Sequence, residues 1–396
     1  MCIRDRNVHE EKFYSNFTNP VLSHATLKAS YSLTADRGPA FVTNSQAILN
    51  SYSPWRPSAS VTESGMRITE LENSELTYEK KHEFNVGIDL GFLKNRLNLA
   101  ADYYRRNNFD LIGVINTQGA GGTIAKYANI ASMKSSGIEL TISSKNMRTK
   151  DFSWNTDFIF SKTKNEITDL KSHANVLSLI SGNGFGREGY PVRGLFSIPF
   201  AGLTEDGLHT FINQDGQKTI SSFNFQEYEK LDFLKYEGPT DPTITGSFGN
   251  ILTYKNLKLN VFVTYSFGNV IRLDPVFSNA YSDLDAMPKE FKNRWMKAGD
   301  ENVTNIPTIV STRMNQQYAY LNMAYNAYNY SDVRIADGGF IRLKEISLSY
   351  DLPAKVINFF RLNKLQLKLQ ATNLCLLYAD LSLIHISEPT RPEPIS

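Results

Sequence analysis

The sequence predicts an all-β chain, an antiparallel transmembrane β-barrel, on three observations. The first is strict period-two alternation in paired segments. Phe84, Val86, Ile88 and Leu90 alternate with small or polar residues, a short polar turn follows at Lys94, Asn95 and Arg96, and alternation resumes at Leu97, Leu99, Ala101 and Tyr103. Successive strand side chains point to opposite faces, so each segment carries one apolar and one polar face. The second is aromatic content: 12% of the 396 residues, with 20 Tyr and 24 Phe, as barrels with interfacial aromatic girdles require. The third is asymmetry of connections, with short turns alternating with long loops, the pattern of bacterial outer-membrane barrels whose long loops face outward.

The remaining strands follow in order. Ala25 to Leu33 places Leu27, Ala29, Tyr31 and Leu33 on one face. Ile138, Leu140 and Ile142 mark another strand. Phe152, Trp154, Thr156, Phe158 and Phe160 alternate with Ser153, Asn155 and Asp157, after a turn at 145–150. Leu257, Leu259, Val261, Val263 and Tyr265 follow the turn Lys255-Asn256. Ile341 and Leu343 are out of phase with Ile346, Leu348 and Tyr350, which predicts a β-bulge near Lys344-Glu345. Leu365, Leu367, Leu369 and Ala371 form the last strand. A generous count is about ten to fourteen strands, below the roughly 22 of plugged transporters, so either the barrel is small or the chain is part of a bigger one. Stretches 35–75, 171–240 and 268–335 read as long irregular loops, with turns at Asp206-Gly207 and Asp215-Gly216 and a short helix over Pro288 to Lys297. No internal domain boundary stands out.

Composition narrows the function. A net charge of +2 gives no reason to expect nucleic acid. A slightly negative mean hydropathy is compatible with a barrel, where only every second residue meets lipid. No run of about eighteen apolar residues exists, so a transmembrane helix is not expected. Residues 1–6 and 379–396 resemble translated sequencing-adaptor fragments and are read as non-native, leaving 7–378 as the barrel portion. Both cysteines, Cys2 and Cys375, fall in or beside those ends. The six histidines are scattered without metal-ligand spacing. Gly182, Gly184, Gly186 and Gly189 lack the strand and helix of a dinucleotide fingerprint. Asp283 and Asp285 read as solvated loop carboxylates. No catalytic residue, metal or cofactor is predicted, and the chain is not expected to be an enzyme. The residues singled out as ligand contacts are Tyr318, Tyr320, Tyr325, Tyr328 and Tyr330, with Arg294 and Trp295. Aromatic faces stack on sugar rings, and nearby Asn322, Asn326 and Asn329 offer amides; the competing reading is a packed or girdle loop.

Several ordered motifs carry a family resemblance. Glu72 to Lys80 running into Phe84-Asn85-Val86-Gly87-Ile88-Asp89, then Asn95-Arg96-Leu97 and Asp102-Tyr103-Tyr104, come first. Gly137-Ile138-Glu139-Leu140, Phe152-Ser153-Trp154, Gly189-Tyr190-Pro191 and Leu252 to Asn256 follow. Arg294-Trp295 with Gly299-Asp300, Phe340 to Lys344 with Leu348-Ser349-Tyr350, and Asn373-Leu374 complete the series. In this order they resemble the C-terminal barrel of SusC/RagA-type TonB-dependent outer-membrane transporters of Bacteroidota. The resemblance implies import of a large nutrient, an oligosaccharide or a peptide, across the outer membrane. It also implies a SusD-like surface lipoprotein as partner, and coupling to TonB, ExbB and ExbD through a plug that would lie upstream. Outer-membrane lipid would surround the barrel. A passive porin or adhesin barrel, or a barrel enzyme, are the alternative readings.

Overall fold

A computed structural model describes residues 2–7, 21–37, 46–55, 64–116, 119, 125–182, 186–276, 289–318, 320–321, 324, 326–353 and 363–380. Ten strands build one antiparallel sheet: β1 (Cys2–Asn7), β2 (Leu22–Asp36), β3 (Glu79–Phe92), β4 (Leu97–Asn116), β5 (Ala125–Arg148), β6 (Phe152–Leu170), β7 (Ile244–Tyr254), β8 (Leu257–Phe267), β9 (Phe340–Asp351) and β10 (Gln366–Ala379). They pair in chain order from β1 to β10, each with the next. Cys2–Asn7, all but Asn7 within the end read as foreign, pairs with β2 from Cys2↔Tyr31 to Asn7↔Thr26.

Register decides which face is which. Leu27 pairs with Ile88, Ile88 with Ala101, and Ala101 with Leu140. Leu140 pairs with Phe160, Phe158 with Phe248, and Phe248 with Val263. Val261 then meets Ile346, and Ile346 meets Ala371. The apolar sets of nine consecutive strands therefore share one face. That face is open rather than folded in: Leu33 is 59% exposed, Ile138 52% and Leu369 74%. Eight residue steps, from Phe84 to Phe92, span about 26 Å along a strand at ~3.3 Å per residue, the height of an outer-membrane apolar band. An exposed apolar sheet of this extent requires a lipid solvent.

The opposite face is polar. Glu83 forms ion pairs with Lys81 Nζ at 3.0 Å and Arg106 Nε at 3.1 Å, and Lys28 pairs with Asp89. Ser143 Oγ donates to Asp157 at 2.7 Å. Tyr104 lies on this face directly over Gly137, where an added Cβ would sit 2.5 Å from the phenol oxygen. The missing side chain is what admits the ring.

The predicted bulge is present. Glu345 pairs with Phe262 and Leu343 with Val263, leaving Lys344 as the extra residue. It returns Ile346, Leu348 and Tyr350 to the apolar face, which is why the alternation slips phase in the sequence. Short turns lie at one end of the sheet: 93–96, 149–151 and 255–256. Arg96 ties the first of them to the end of β5, donating to the carbonyls of Lys145 at 3.2 Å and Asn146 at 2.9 Å. Long connections lie at the other end.

In their described parts, those long connections correct the sequence reading: they are folded, not irregular. Residues 37–78 carry a hairpin, Ile48–Tyr52 with Gly65–Glu70. The described residues of 171–243 and 268–339 make a cap with its own core. Helix α1 (Val176–Ser181) contributes Val176, Leu179 and Ile180. These pack with Phe196, Ile198, Phe211, Leu234, Ala324 and Ala327. Gly194–Ser197 pairs with Lys235–Pro239, and Val270–Arg272 with Ile335–Asp337. Phe200–Leu203, His209–Ile212 and Lys218–Thr219 form a small three-stranded sheet. The predicted helix over Pro288 to Lys297 is only a single 3-10 segment, Lys289–Asn293; Pro288 lies outside the described residues. It stops early because the Asp300 carboxylate takes the N–H groups of Met296 at 3.0 Å and Lys297 at 3.1 Å, leading the backbone into a turn.

Candidate functional site

The cap stands at the long-loop end of the sheet and is held together by two arginines, Arg272 half-buried and Arg334 buried. Arg272 donates to the carbonyls of Phe196 at 2.6 Å, Ile180 at 3.2 Å and Ser331 at 3.2 Å. It joins the 171–243 connection to the 268–339 connection. Burial lowers its pKa to about 10, so it stays charged at neutral pH. Arg334, 3% exposed, forms a two-pronged pair with Glu290, Nη1 to Oε2 at 3.0 Å and Nη2 to Oε1 at 2.7 Å. It also donates to the Asp274 carbonyl at 2.6 Å. A planar guanidinium satisfies several carbonyls and a carboxylate at once, which lysine cannot.

Beside this second arginine is a recess of about 650 Å³. Its walls include Glu290, Asn293, Arg294, Asp300, Thr304, Asn305 and Arg334, with Tyr328 behind them. The lining offers amides, a hydroxyl and charges of both signs, which suits hydrogen bonding to a polar ligand. Neither a nucleophile–base pair nor a cluster of metal-ligating residues occurs here among the described residues.

The structure separates the residues singled out from the sequence. Tyr328 is 2% exposed and belongs to the core, with its ring 6.0 Å from Phe200 and Arg334 over its face at 6.0 Å. Burial pushes its pKa up to about 12. As placed it packs the cap and forms the back of the recess. Tyr330 is half-buried between Phe225 and the Arg272 guanidinium, at 6.3 and 5.6 Å. Tyr318 packs on Leu208 and Leu321. Tyr320 is 77% exposed. Tyr325 and Asn322, like Asp283 and Asp285, lie outside the described residues. Trp295 is half-buried, its indole donating to Glu301 at 3.2 Å and its ring lying on Gly207, whose φ of +74° and missing Cβ admit the contact. Glu301 sits below the usual carboxylate range, held by its own backbone N–H, the indole and the Gly299 N–H. Arg294 lies on the recess wall, its guanidinium 5.0 Å from the Phe291 ring.

The recess thus unites Arg294 and Tyr328 with Asn293, Thr304 and Asn305, which sequence reasoning passed over. The pairing of Arg294-Trp295 with Gly299-Asp300 was the available signal, because Asp300 shapes the turn that closes the recess. The buried histidine was also passed over. His209 stacks on Phe211 at 5.2 Å, and its pKa is pushed down to about 3 by burial, against a bond to the Ala324 backbone.

Comparison with known proteins agrees with this architecture. The chain is 25% identical over 333 residues to TonB-dependent receptor P3 of Formosa agariphila, covering 78% of this chain and 31% of that protein. It is 28% identical over 240 residues to TonB-dependent receptor SusC of Bacteroides thetaiotaomicron, covering 54% and 23%. Its fold matches the RagAB peptide transporter with a TM-score of 0.73 at 22% identity, over 94% of this chain and 39% of that one. No family profile matches the chain. It spans about a third of the length of the curated relatives it matches, at 31%, 36% and 32% for the first three. The homologues of this chain are TonB-dependent receptors, SusC among them, and it is a barrel chain of the outer membrane.

Proposed function

We propose that this chain supplies part of the lipid-spanning wall and the outward cap of an importer for a large nutrient, an oligosaccharide or a peptide, driven by TonB. The observation that carries this reading is the pairing of one exposed apolar face across nine strands with a polar face behind it, topped by a folded cap. A wall of this kind encloses water, and its backbone groups are satisfied strand to strand. A wide wet lumen needs a plug; in the longer protein that plug would receive force from TonB, ExbB and ExbD. The SusC and RagAB likenesses support a SusD-like lipoprotein seated over the cap. The recess beside Arg294 is where ligand hydroxyls or peptide groups would meet polar side chains.

The test is uptake of labelled oligosaccharides and peptides by cells carrying the full-length protein, with and without a protonophore. Energised import predicts accumulation against a gradient that stops when the proton gradient collapses. Continued entry at the same rate would instead identify a passive pore.

A further inference from the structure

On the apolar face, strands β3 to β6 change character together at the long-loop end. Ladder register sets out the change row by row. Val86, Tyr103, Ile138 and Lys162 share one row, Phe84, Arg105, Ser136 and Lys164 the next, and His82, Asn107, Lys134 and Glu166 the one beyond. Side chains in these rows point the same way as Phe84, Leu99, Leu140 and Phe160, toward the bilayer. So the greasy band ends along a shared line, and four cations, Arg105, Lys134, Lys162 and Lys164, stand immediately past it on the outside of the wall. Glu166 is the carboxylate in those rows; it bridges Lys134 at 2.9 Å and Lys164 at 3.8 Å. Lys80, one row further, is taken up by Asp110 at 2.7 Å, and Glu188 borders an adjoining recess above.

Three of these cations, Arg105, Lys134 and Lys164, line a depression. A recess of about 290 Å³ lies among Tyr103, Arg105, Lys134, Ser136, Lys164 and Glu166. Lys164 is 79% exposed at its side chain and Lys134 46%. The patch is local. On β7 and β8 the Lys162 row continues into Ile244 and Phe267, both uncharged. The long-loop end is the outer-leaflet side in such barrels. A group that meets this recess is therefore anchored in the outer leaflet, and its head carries negative charge matched to a guanidinium and ammonium groups.

We infer that this exterior recess binds the phosphorylated headgroup of an outer-leaflet glycolipid, with Arg105, Lys134 and Lys164 on the phosphate and the acyl chains lying along Tyr103, Ile138 and Phe160. The juxtaposition that carries it is a cationic hollow at the upper border of the lipid-facing band. This inference needs only the sidedness of the sheet. It does not depend on which nutrient is imported.

The experiment uses the full-length protein purified in detergent and mixed with lipid A bearing or lacking its phosphates, read by native mass spectrometry. The expected result is retention of the phosphorylated form at least tenfold above the dephosphorylated form. Substitution R105A/K134A/K164A should abolish that preference, whereas K134R/K164R should keep it. Equal retention of both lipid forms by the unaltered protein overturns the proposal, and that arm requires no variant to fold. Inorganic phosphate displacing the lipid at equal concentration would mark a free-anion site and overturn it as well. Protection of Lys134 and Lys164 from acylation by a co-purifying protein rather than by lipid would also overturn it.

Discussion

The sheet and the cap solve the burial problem in opposite ways. In the sheet, apolar side chains turn outward and remain exposed to the solvent that suits them, as at Leu33, Ile138 and Leu369. In the cap, Phe196, Ile198 and Phe211 turn inward and are 1%, 0% and 1% exposed. The sheet is held by a continuous ladder of backbone hydrogen bonds. The cap is held by side-chain packing and by two arginines that reach several carbonyls at once. One chain thus uses lipid as the apolar phase for its wall and its own side chains as the apolar phase for its cap.

The contrast can be broken from either side. The largest effect is expected for Phe196→Ala, which should cost the cap about 3–5 kcal/mol while the sheet keeps its stability. Hydrogen exchange should rise across 176–236 and stay unchanged in β3 to β6; loss of protection in both regions would merge the two units. Next, Leu140→Arg places a charge near the middle of the lipid-facing band, at a cost of about 2–4 kcal/mol. Thr141→Arg, one residue on and facing the lumen, should cost far less. Denaturant unfolding of the full-length protein in lipid compares them, and equal losses would reassign the faces.

His209 sharpens the comparison through pH. Its native pKa of about 3 lies below the usual histidine value of 6.5. Above that value neither state is protonated and the stability is fully present. As pH falls from 6.5 toward 3, the unfolded cap takes up a proton that the folded cap excludes. Cap stability should then fall by up to about 1.4 kcal/mol per pH unit in that window. His209→Gln should flatten the slope, measured as cap protection between pH 7 and 5. The smallest effect is expected for Asn175→Ala. Its side chain caps α1 by accepting from Ser178 N at 2.9 Å, and its loss should cost about 1 kcal/mol, visible as local exchange in Val176 to Ser181 alone.

The two regions also differ in how far the chain could be read without coordinates. The wall strands were legible because lipid on one side and water on the other impose period two, down to the phase slip at Lys344. Their lengths were not. Strands β4, β5 and β6 run 20, 24 and 19 residues, beyond the ~9–11 that cross the bilayer, because past the band Arg105, Lys134 and Lys164 leave both faces polar. In the cap, the tyrosine-rich stretch advertised aromatic groups but not their surroundings. Tyr328 and Tyr320 sit in the same run, yet one fills the core and the other projects into solvent. Arg294 was legible through its pairing with Trp295, while Asn293, Thr304 and Asn305 join it only because the turn at Asp300 folds them back.

The linear order of residues determined by itself the strand faces, the bulge, the tight turns and the family likeness, since each arises from neighbours a few positions apart. Tertiary structure alone decided that the long connections form a packed cap, that Tyr328 is interior, and that Arg105, Lys134 and Lys164 converge at the edge of the lipid band. The physical reason is range. Alternation is written locally by the two solvents a strand meets, whereas a core or a charged hollow exists only when strands and loops from distant parts of the chain are brought side by side.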